Sequence, residues 1–278
     1  MPELPEVETI RRELERDIVG LRIKDVEVND LRSIRRHGKK APFVKLLDGA
    51  KVTHVHRRGK YLVLSLDTGS VLVIHLGMSG QLRRNAAKDA AEPHTRVVLT
   101  FTQKGQLRFI DPRKFGEMFV VDADSIDDEV PELAHLGFDP VEQAVSWTRF
   151  GQALVNRSVK LKPLLMDQKF IAGIGNIYAD EILYGAGLRY DRLSDSLSTQ
   201  EIRRLYRSLV ETLHDAIKYR GSTLADGQYV DLQGKPGEYQ EHHQVYDREG
   251  QACRRCRSVI VRVKANSRST FFCEQCQV

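Results

Sequence analysis

The chain has 278 residues, with 43 Lys and Arg against 38 Asp and Glu and a formal net charge of +5. At ~100 to 200 residues per domain, this length predicts about two domains, each able to bury a core without covalent staples. A composition 41% hydrophobic and 29% charged excludes disordered and collagen-like classes, and no uncharged apolar run approaches the ~18 residues of a membrane span. The start, Met1-Pro2-Glu3-Leu4-Pro5-Glu6, lacks the basic segment and apolar core of a secretory signal, so a cytoplasmic location is expected.

Leu4, Val7, Ile10, Leu14 and Ile18 recur at helical spacing with charged residues between them, so residues 4–18 are expected to form an amphipathic helix. It begins almost at the first residue, which holds the amine end of the chain beside an ordered element. From Ile23 to Val121 the period shortens to that of strands. Residues 61–66 and 71–76 flank the turn Asp67-Thr68-Gly69-Ser70, and 96–101 and 106–110 flank Gln103-Lys104-Gly105, giving two hairpins. Short strands joined by turns favour an antiparallel sandwich over a parallel sheet, whose crossovers need helices between strands.

Residues 122–140 are acidic, contain prolines and lack a period, so they read as the connection between domains. Beyond them the pattern is helical. Ser198 and Glu201 form a capping box, and Ile202, Leu205, Leu209, Leu213 and Ile217 form an apolar stripe that stops before Gly221. Residues 221–250 carry Gly227, Gly234, Gly237 and Gly250 with no sustained period, and read as a long loop of the kind that often serves function.

Cys253 and Cys256 form one C-x-x-C and Cys273 and Cys276 another, with residues 257–272 between them. Two such pairs match a four-thiolate zinc ribbon, because each can present both sulfurs to one tetrahedral ion; two surface disulfides or idle thiols are the alternative. Four protein ligands leave no position for water, so the single zinc is structural and the chemistry lies elsewhere. Arg248, Arg254, Arg255, Arg257, Arg262, Lys264 and Arg268 surround the pairs, a surface suited to a phosphate backbone or, equally, a solvated charged face. Tyr61, Phe115 and Tyr246 adjoin basic residues, a mild indication of base stacking. Gly173-Ile174-Gly175-Asn176 precedes a helical run, where Asn176 is either an ordinary N-cap or part of a phosphate site at the helix start.

Pro2-Glu3-Leu4-Pro5-Glu6-Val7-Glu8-Thr9, His75-Leu76-Gly77-Met78-Ser79-Gly80, Asp111-Pro112-Arg113-Lys114-Phe115-Gly116, residues 173–178 and residues 268–276 occur in this order along almost the whole chain. Together they resemble the bacterial formamidopyrimidine-DNA glycosylases, which remove 8-oxoguanine and ring-opened purines. The Pro-Glu-Leu-Pro-Glu start is similar to this branch rather than to its sister, endonuclease VIII, which acts on oxidised pyrimidines and usually begins Pro-Glu-Gly-Pro-Glu. The resemblance implies a two-domain α+β enzyme. A catalytic antiparallel β-sandwich with an N-terminal helix would span 1–133 and a linker 134–145. A helix-two-turn-helix DNA-binding domain with a lesion loop would span 146–240, and the zinc finger 241–278. Double-stranded damaged DNA would lie across the cleft, and the chain would act as a monomer without membrane contact.

The resemblance also implies roles. With Met1 removed, Pro2 is a secondary amine; an α-amino group titrates near ~7.7 to 8, against ~10.4 for lysine, so an appreciable fraction is unprotonated at neutral pH. Attack on C1′ would displace the base and leave an iminium, an electron sink for eliminating the 3′ and then the 5′ phosphate. Glu3 would be the acid that protonates the sugar or base, the alternative being a plain helix N-terminus, and Glu6 reads as structural. Lys60 and Arg268 would contact phosphate and assist the first and second eliminations. His94, Arg113, Arg157 and Asn176 would contact DNA, while Met78, Arg113 and Phe115 would fill the gap left by the extruded nucleotide. Two departures stand out: Tyr246-Asp247-Arg248 replaces a commoner Tyr-Gly-Arg, and Asn266-Ser267 precedes Arg268 where the family varies. The alternatives are a pyrimidine-directed glycosylase and a damage-binding module that does not cut. Pro2, Glu3, Lys60 and Arg268 together speak against the second.

Overall fold

Helix α1 (Leu4–Ile18) forms as the spacing predicts, with its five stripe residues fully buried. The computed structural model describes residues 1–103 and 105–278, so Lys104 of the Gln103-Lys104-Gly105 turn lies outside the described residues. The chain divides into two units, Met1–Ala134 with Tyr219–Glu238, and His135–Lys218 with Tyr239–Val278.

In the first unit α1 is followed by β1 (Ile23–Val28), α2 (Lys40–Leu47), β2 (Val52–Arg58), β3 (Tyr61–Leu66), β4 (Ser70–His75), β5 (Gln81–Asn85), β6 (Thr95–Phe101), β7 (Gln106–Ile110) and β8 (Glu117–Asp122). They make two four-stranded antiparallel sheets, ordered β1-β6-β7-β5 and β2-β3-β4-β8. Both expected hairpins are present, although β4 starts and ends one residue earlier than its apolar run. Leu82, Leu99 and Phe109 from one sheet and Val55, Leu64, Leu72 and Ile74 from the other share a core with Val7, Ile10, Leu14 and Ile18. The β-sandwich with an N-terminal helix is therefore realised, because α1 supplies the apolar face that fills it.

The connection differs from expectation. Residues 122–140 are not aperiodic: α3 (Ile126–Glu129) and α4 (Pro131–Ala134) form there, and Val130 and Leu133 between and within them are 0% and 1% exposed. The expected linker 134–145 is packed as well. Gly137 N–H donates to the Gln168 carbonyl at 2.8 Å, Phe138 pairs with Ile171, and the Asp139 carboxylate accepts from the Val141 and Glu142 amides. A second boundary also moves. Residues 219–238, expected inside a helical domain over 146–240, belong to the first unit, because Tyr229 and Leu232 enter the sandwich core and Leu232 N–H donates to the Glu13 carboxylate at 2.9 Å.

The second unit holds α5 (Trp147–Val155), α6 (Leu161–Met166), α7 (Asn176–Ala186), α8 (Thr199–Lys218) and the hairpin β9 (Val261–Ala265) and β10 (Arg268–Phe272). The Ser198–Glu201 capping box closes at 2.8 and 3.3 Å, and the stripe from Ile202 to Ile217 is buried as spaced. Two turns join α6 to α7. The Gln168 side chain pins them by donating to the Met166 and Ile174 carbonyls and accepting from Gly173 N–H. No helix among the described residues is long and apolar enough to cross a membrane.

Candidate active site and nucleic-acid interface

The start of α1 is set by acidic side chains. Pro2 is buried and Glu3, 3% exposed, caps the helix. One Glu6 oxygen accepts the Glu3 N–H at 2.8 Å, and the other accepts the Ser222 N–H at 2.7 Å. A Cβ on Gly221, at φ +74°, would sit 2.5 Å from Glu6 Oε1, so only glycine lets this segment reach the helix start. Glu6 is thus a structural tie, as the sequence suggested. Two residues on, buried Glu8 accepts from Arg11, Arg12 and Arg57. Burial pushes its carboxyl up, but the three guanidiniums outweigh that and hold it below the usual carboxylate range. Arg57, fully buried, also donates to the Gly59 carbonyl at 3.0 Å, which fixes the β2–β3 turn that presents Lys60, itself 8% exposed.

Next to that turn, Tyr61 of β3 pairs with His75 of β4, their rings stacked at 4.5 Å. The Tyr61 ring is therefore committed to an internal partner. Burial first, then the charges of Lys60, Arg35 and Arg36, push the His75 pKa down to about 4 against the pull of Glu117. A neutral imidazole beside Lys60 is a group that sequence reasoning passed over, although it opens the quoted motif.

Met78 and Phe115 are 39% and 46% exposed, which rules out the core positions that an isolated Met or Phe would ordinarily take. The Arg113 guanidinium lies over the Phe115 ring at 5.3 Å, so the expected trio is brought together on two neighbouring turns. A Cβ on Gly77 (φ +61°) would be 2.6 Å from the Phe115 carbonyl carbon and from Gly116 N, so the turns touch backbone to backbone. The fully buried Asp111 carboxylate binds both. His94 is exposed at φ +65°, and its carbonyl accepts the Asp111 N–H at 3.1 Å.

In the second unit Asn176 is not the N-cap. Gly175 takes that position, and the Asn176 amide instead donates to the Ser269 carbonyl at 3.0 Å and the Tyr246 hydroxyl at 3.4 Å. It thereby helps to hold β10. Lys162 does the same more deeply: 3% exposed, its Nζ meets Asp180 at 2.7 Å, the Thr270 hydroxyl at 2.9 Å and the Ser269 carbonyl at 3.0 Å. Asp180 in turn accepts the Phe271 N–H at 2.9 Å. Arg268 then starts β10 from an exposed position, after Asn266 and Ser267 at φ +48° and +63°, the paired left-handed residues a tight hairpin turn requires. It rims a cavity of about 450 Å³ together with Lys160, Tyr190 and Lys264. Arg157 is exposed elsewhere on the unit, donating to the Ala153 carbonyl at 2.8 Å with its guanidinium over Phe170. Tyr246 packs edge-on against Phe271 and, like Tyr61, is not presented for stacking.

The basic set near the cysteines separates into two groups. Arg248, Arg254 and Arg262 hydrogen-bond within the unit, and the Arg255 guanidinium lies over the Tyr184 ring. The Arg257, Lys264 and Arg268 side chains make no ion pair or hydrogen bond among the described residues and remain exposed. Asp247 adopts φ +57°, a left-handed conformation that glycine takes without strain. Buried Glu181, its carboxyl pushed up by burial, accepts the amides of Gln244, Val245 and Tyr246 and fixes the approach to the ribbon.

The four cysteine sulfurs lie within 4.8 Å of one another, with Cys253–Cys276 at 3.8 Å and Cys256–Cys273 at 3.4 Å. Those separations exceed the ~2.05 Å of a disulfide. They fit ligands ~2.3 Å from one tetrahedral zinc, whose sulfurs would stand about 3.8 Å apart. Cys253, Cys256, Cys273 and Cys276 are the structural zinc site, seated on a small core of Val245, Ile260 and Phe271.

Residues 1–118 match the family model of the formamidopyrimidine-DNA glycosylase N-terminal domain, residues 136–227 that of its H2TH domain, and residues 250–278 the zinc finger found in FPG and IleRS. A formamidopyrimidine-DNA glycosylase from Pelotomaculum thermopropionicum is 41% identical over 277 residues, covering 100% of this chain and 99% of the relative. The crystal structure of MutM (Fpg) from Thermus thermophilus aligns with a TM-score of 0.88 at 41% identity, over 99% of this chain and 98% of that one. Lactococcus lactis Fpg, in complex with DNA containing an abasic site, aligns with a TM-score of 0.91 at 34% identity, over 99% of each chain. The chain belongs to the formamidopyrimidine-DNA glycosylase family, whose members are DNA glycosylases with AP lyase activity.

Proposed function

We propose that this glycosylase excises oxidised purines, formamidopyrimidines and 8-oxoguanine, from double-stranded DNA and then cuts the strand by β and δ elimination, with Pro2 as the nucleophile. The observation that carries this reading is the construction of the N-terminus: Pro2 and Glu3 are buried side by side at the start of a helix fixed by Glu6 and Ser222. Once Met1 is removed, the Pro2 nitrogen lone pair attacks C1′, the bond from C1′ to the base breaks, and the base leaves with that bond's electron pair and takes up the proton lost by the amine. The C1′–O4′ bond then opens, O4′ receives a proton from Glu3, and the nitrogen lone pair forms the double bond to C1′. The resulting iminium accepts electrons when a proton is lost from C2′, which expels the 3′ phosphate; a further proton loss from C4′ expels the 5′ phosphate. Lys60 and Arg268 hold those phosphates, His94, Arg113, Arg157 and Asn176 position the backbone, and Met78, Arg113 and Phe115 occupy the space of the extruded nucleotide. The zinc shapes the ribbon and takes no part in bond making. The enzyme works as a monomer in the cytoplasm.

Borohydride reduction during turnover tests the nucleophile. The expected result is a stable protein–DNA adduct whose cross-linked peptide begins at residue 2. One extra residue before Pro2 should abolish trapping, because an amide nitrogen has no free lone pair. An adduct on Lys60 would overturn the assignment. In the same assay, 8-oxoguanine opposite cytosine should be excised faster than an oxidised pyrimidine, and the reverse order would move the enzyme to the sister specificity.

A further inference from the structure

We infer that Asp111 is the positioning residue for the void-filling side chains: its buried carboxylate sets where Met78, Arg113 and Phe115 stand relative to one another. The inference rests on the reading that these three occupy the space left by the extruded nucleotide.

Met78 and Phe115 are too exposed for packing to fix their directions, so their placement must come from the backbone beneath them. That backbone converges on one side chain. Asp111 Oδ1 accepts the Ser79 hydroxyl at 2.6 Å and the Arg113 N–H at 3.2 Å, and Oδ2 accepts the Gly116 N–H at 2.8 Å. The Ser79 oxygen also accepts the Arg113 N–H at 3.2 Å. One carboxylate therefore grips the residue after Met78 and both ends of the segment that carries Arg113 and Phe115. Lys114, between those two, is held at φ +59°, a conformation costly to a residue with a Cβ and sustained here by bonds on either side. Gly77 and Gly116 allow the close backbone approach, so a shift in one turn is passed directly to the other.

The physical consequence concerns base extrusion. Unstacking a nucleotide is uphill, and a wedge already fixed in place offsets that without first ordering its own turn. A loosened wedge would slow capture of the lesion while leaving the nucleophile and the elimination chemistry unaltered.

Asp111→Asn keeps the volume but turns an amide N–H toward at least one of the donors that the carboxylate accepts. It should slow excision of a lesion from duplex roughly tenfold, with cleavage at a preformed abasic site within about twofold of the parent. Ser79→Ala removes one bond and should cause a smaller loss of the same kind, which keeps the test available if Asp111→Asn folds poorly. On a Phe115→Ala background, Asp111→Asn should add less than about twofold, since it acts through that side chain. A 2-aminopurine next to the lesion should report slower unstacking in both single variants. Equal losses on duplex and abasic substrates, or multiplicative losses in the double variant, would overturn the inference. If Phe115→Ala shows a duplex-specific loss and neither Asp111→Asn nor Ser79→Ala does, the role of Asp111 fails while the wedge stands. If Phe115→Ala costs nothing on duplex, the wedge reading falls and this inference falls with it.

Discussion

The turns at 77–80 and 111–116 and the hairpin β9–β10 both end in exposed side chains, yet only the hairpin depends on a metal. The turns grow out of β4, β7 and β8, strands that already belong to four-stranded sheets over a large core. Polar bonds from Asp111 suffice there because the scaffold is rigid before they form. Among the described residues β9 and β10 pair only with each other, and a two-stranded ribbon is marginal in water. It is held from outside by Lys162, Asp180 and Asn176 and from within by four thiolates. The scaffold behind a functional turn decides whether hydrogen bonds are enough to aim it.

Removing the metal should separate the two regions most widely. Cys256→Ser should release zinc and disorder residues 250–278, because structural zinc sites contribute on the order of 10 kcal/mol to the fold they organise. The sandwich contributes no ligand and should keep its unfolding transition. Zinc content, limited proteolysis and DNA affinity measured together check this; metal loss with unchanged DNA affinity would erase the contrast.

Acid should act on both regions instead. Burial holds the pKa of His243, 2% exposed, down to about 4, against an unfolded value near ~6.5. The folded protein binds that proton less readily than the unfolded chain. The neutral ring's contribution is therefore complete above about pH 6.5 and lost as pH falls toward 4, by at most about 3 kcal/mol. His75 shifts in the same direction in the sandwich. Urea unfolding followed from pH 7 to 4 should show both units weakening, with His243→Gln flattening the slope for the ribbon-bearing unit alone. A slope unchanged by that substitution would remove His243 from the account.

The smallest effect refines the ribbon side. Asp247 is exposed at φ +57°, so Asp247→Gly should leave stability unchanged or raise it by up to about 1 kcal/mol. A clear drop in melting temperature would mean that the aspartate side chain supports its turn.

What could be read from the sequence was what is local. Helix α1, the Ser198–Glu201 box and the paired cysteines are encoded within a few residues, and each formed as spaced. The exposure of Phe115 and Met78 needed the family resemblance, since nothing in their neighbours distinguishes an exposed Met or Phe from a core one. The misplaced features depend on distant partners. Asn176 gives up its cap position to reach Ser269, 93 residues away, and residues 219–238 cross to the sandwich because Glu6 and Glu13 accept their amides. Short helices α3 and α4 escaped because four residues are too few to establish a period. Asp111 was visible only as a motif letter, its three bonds being a property of the folded turns.

The bond from Ser222 to Glu6 spans 216 positions and reaches the very start of α1. Seen from the ribosome, the start of α1 waits for a segment made 216 residues later before its environment is complete. The stripe of α1 can enter the sandwich early, but Glu6 lacks its second partner, and the core lacks Tyr229 and Leu232, until the chain has been extended beyond residue 232. The start of α1 is thus given its finished surroundings late in synthesis, after α5 to α8 have already been made.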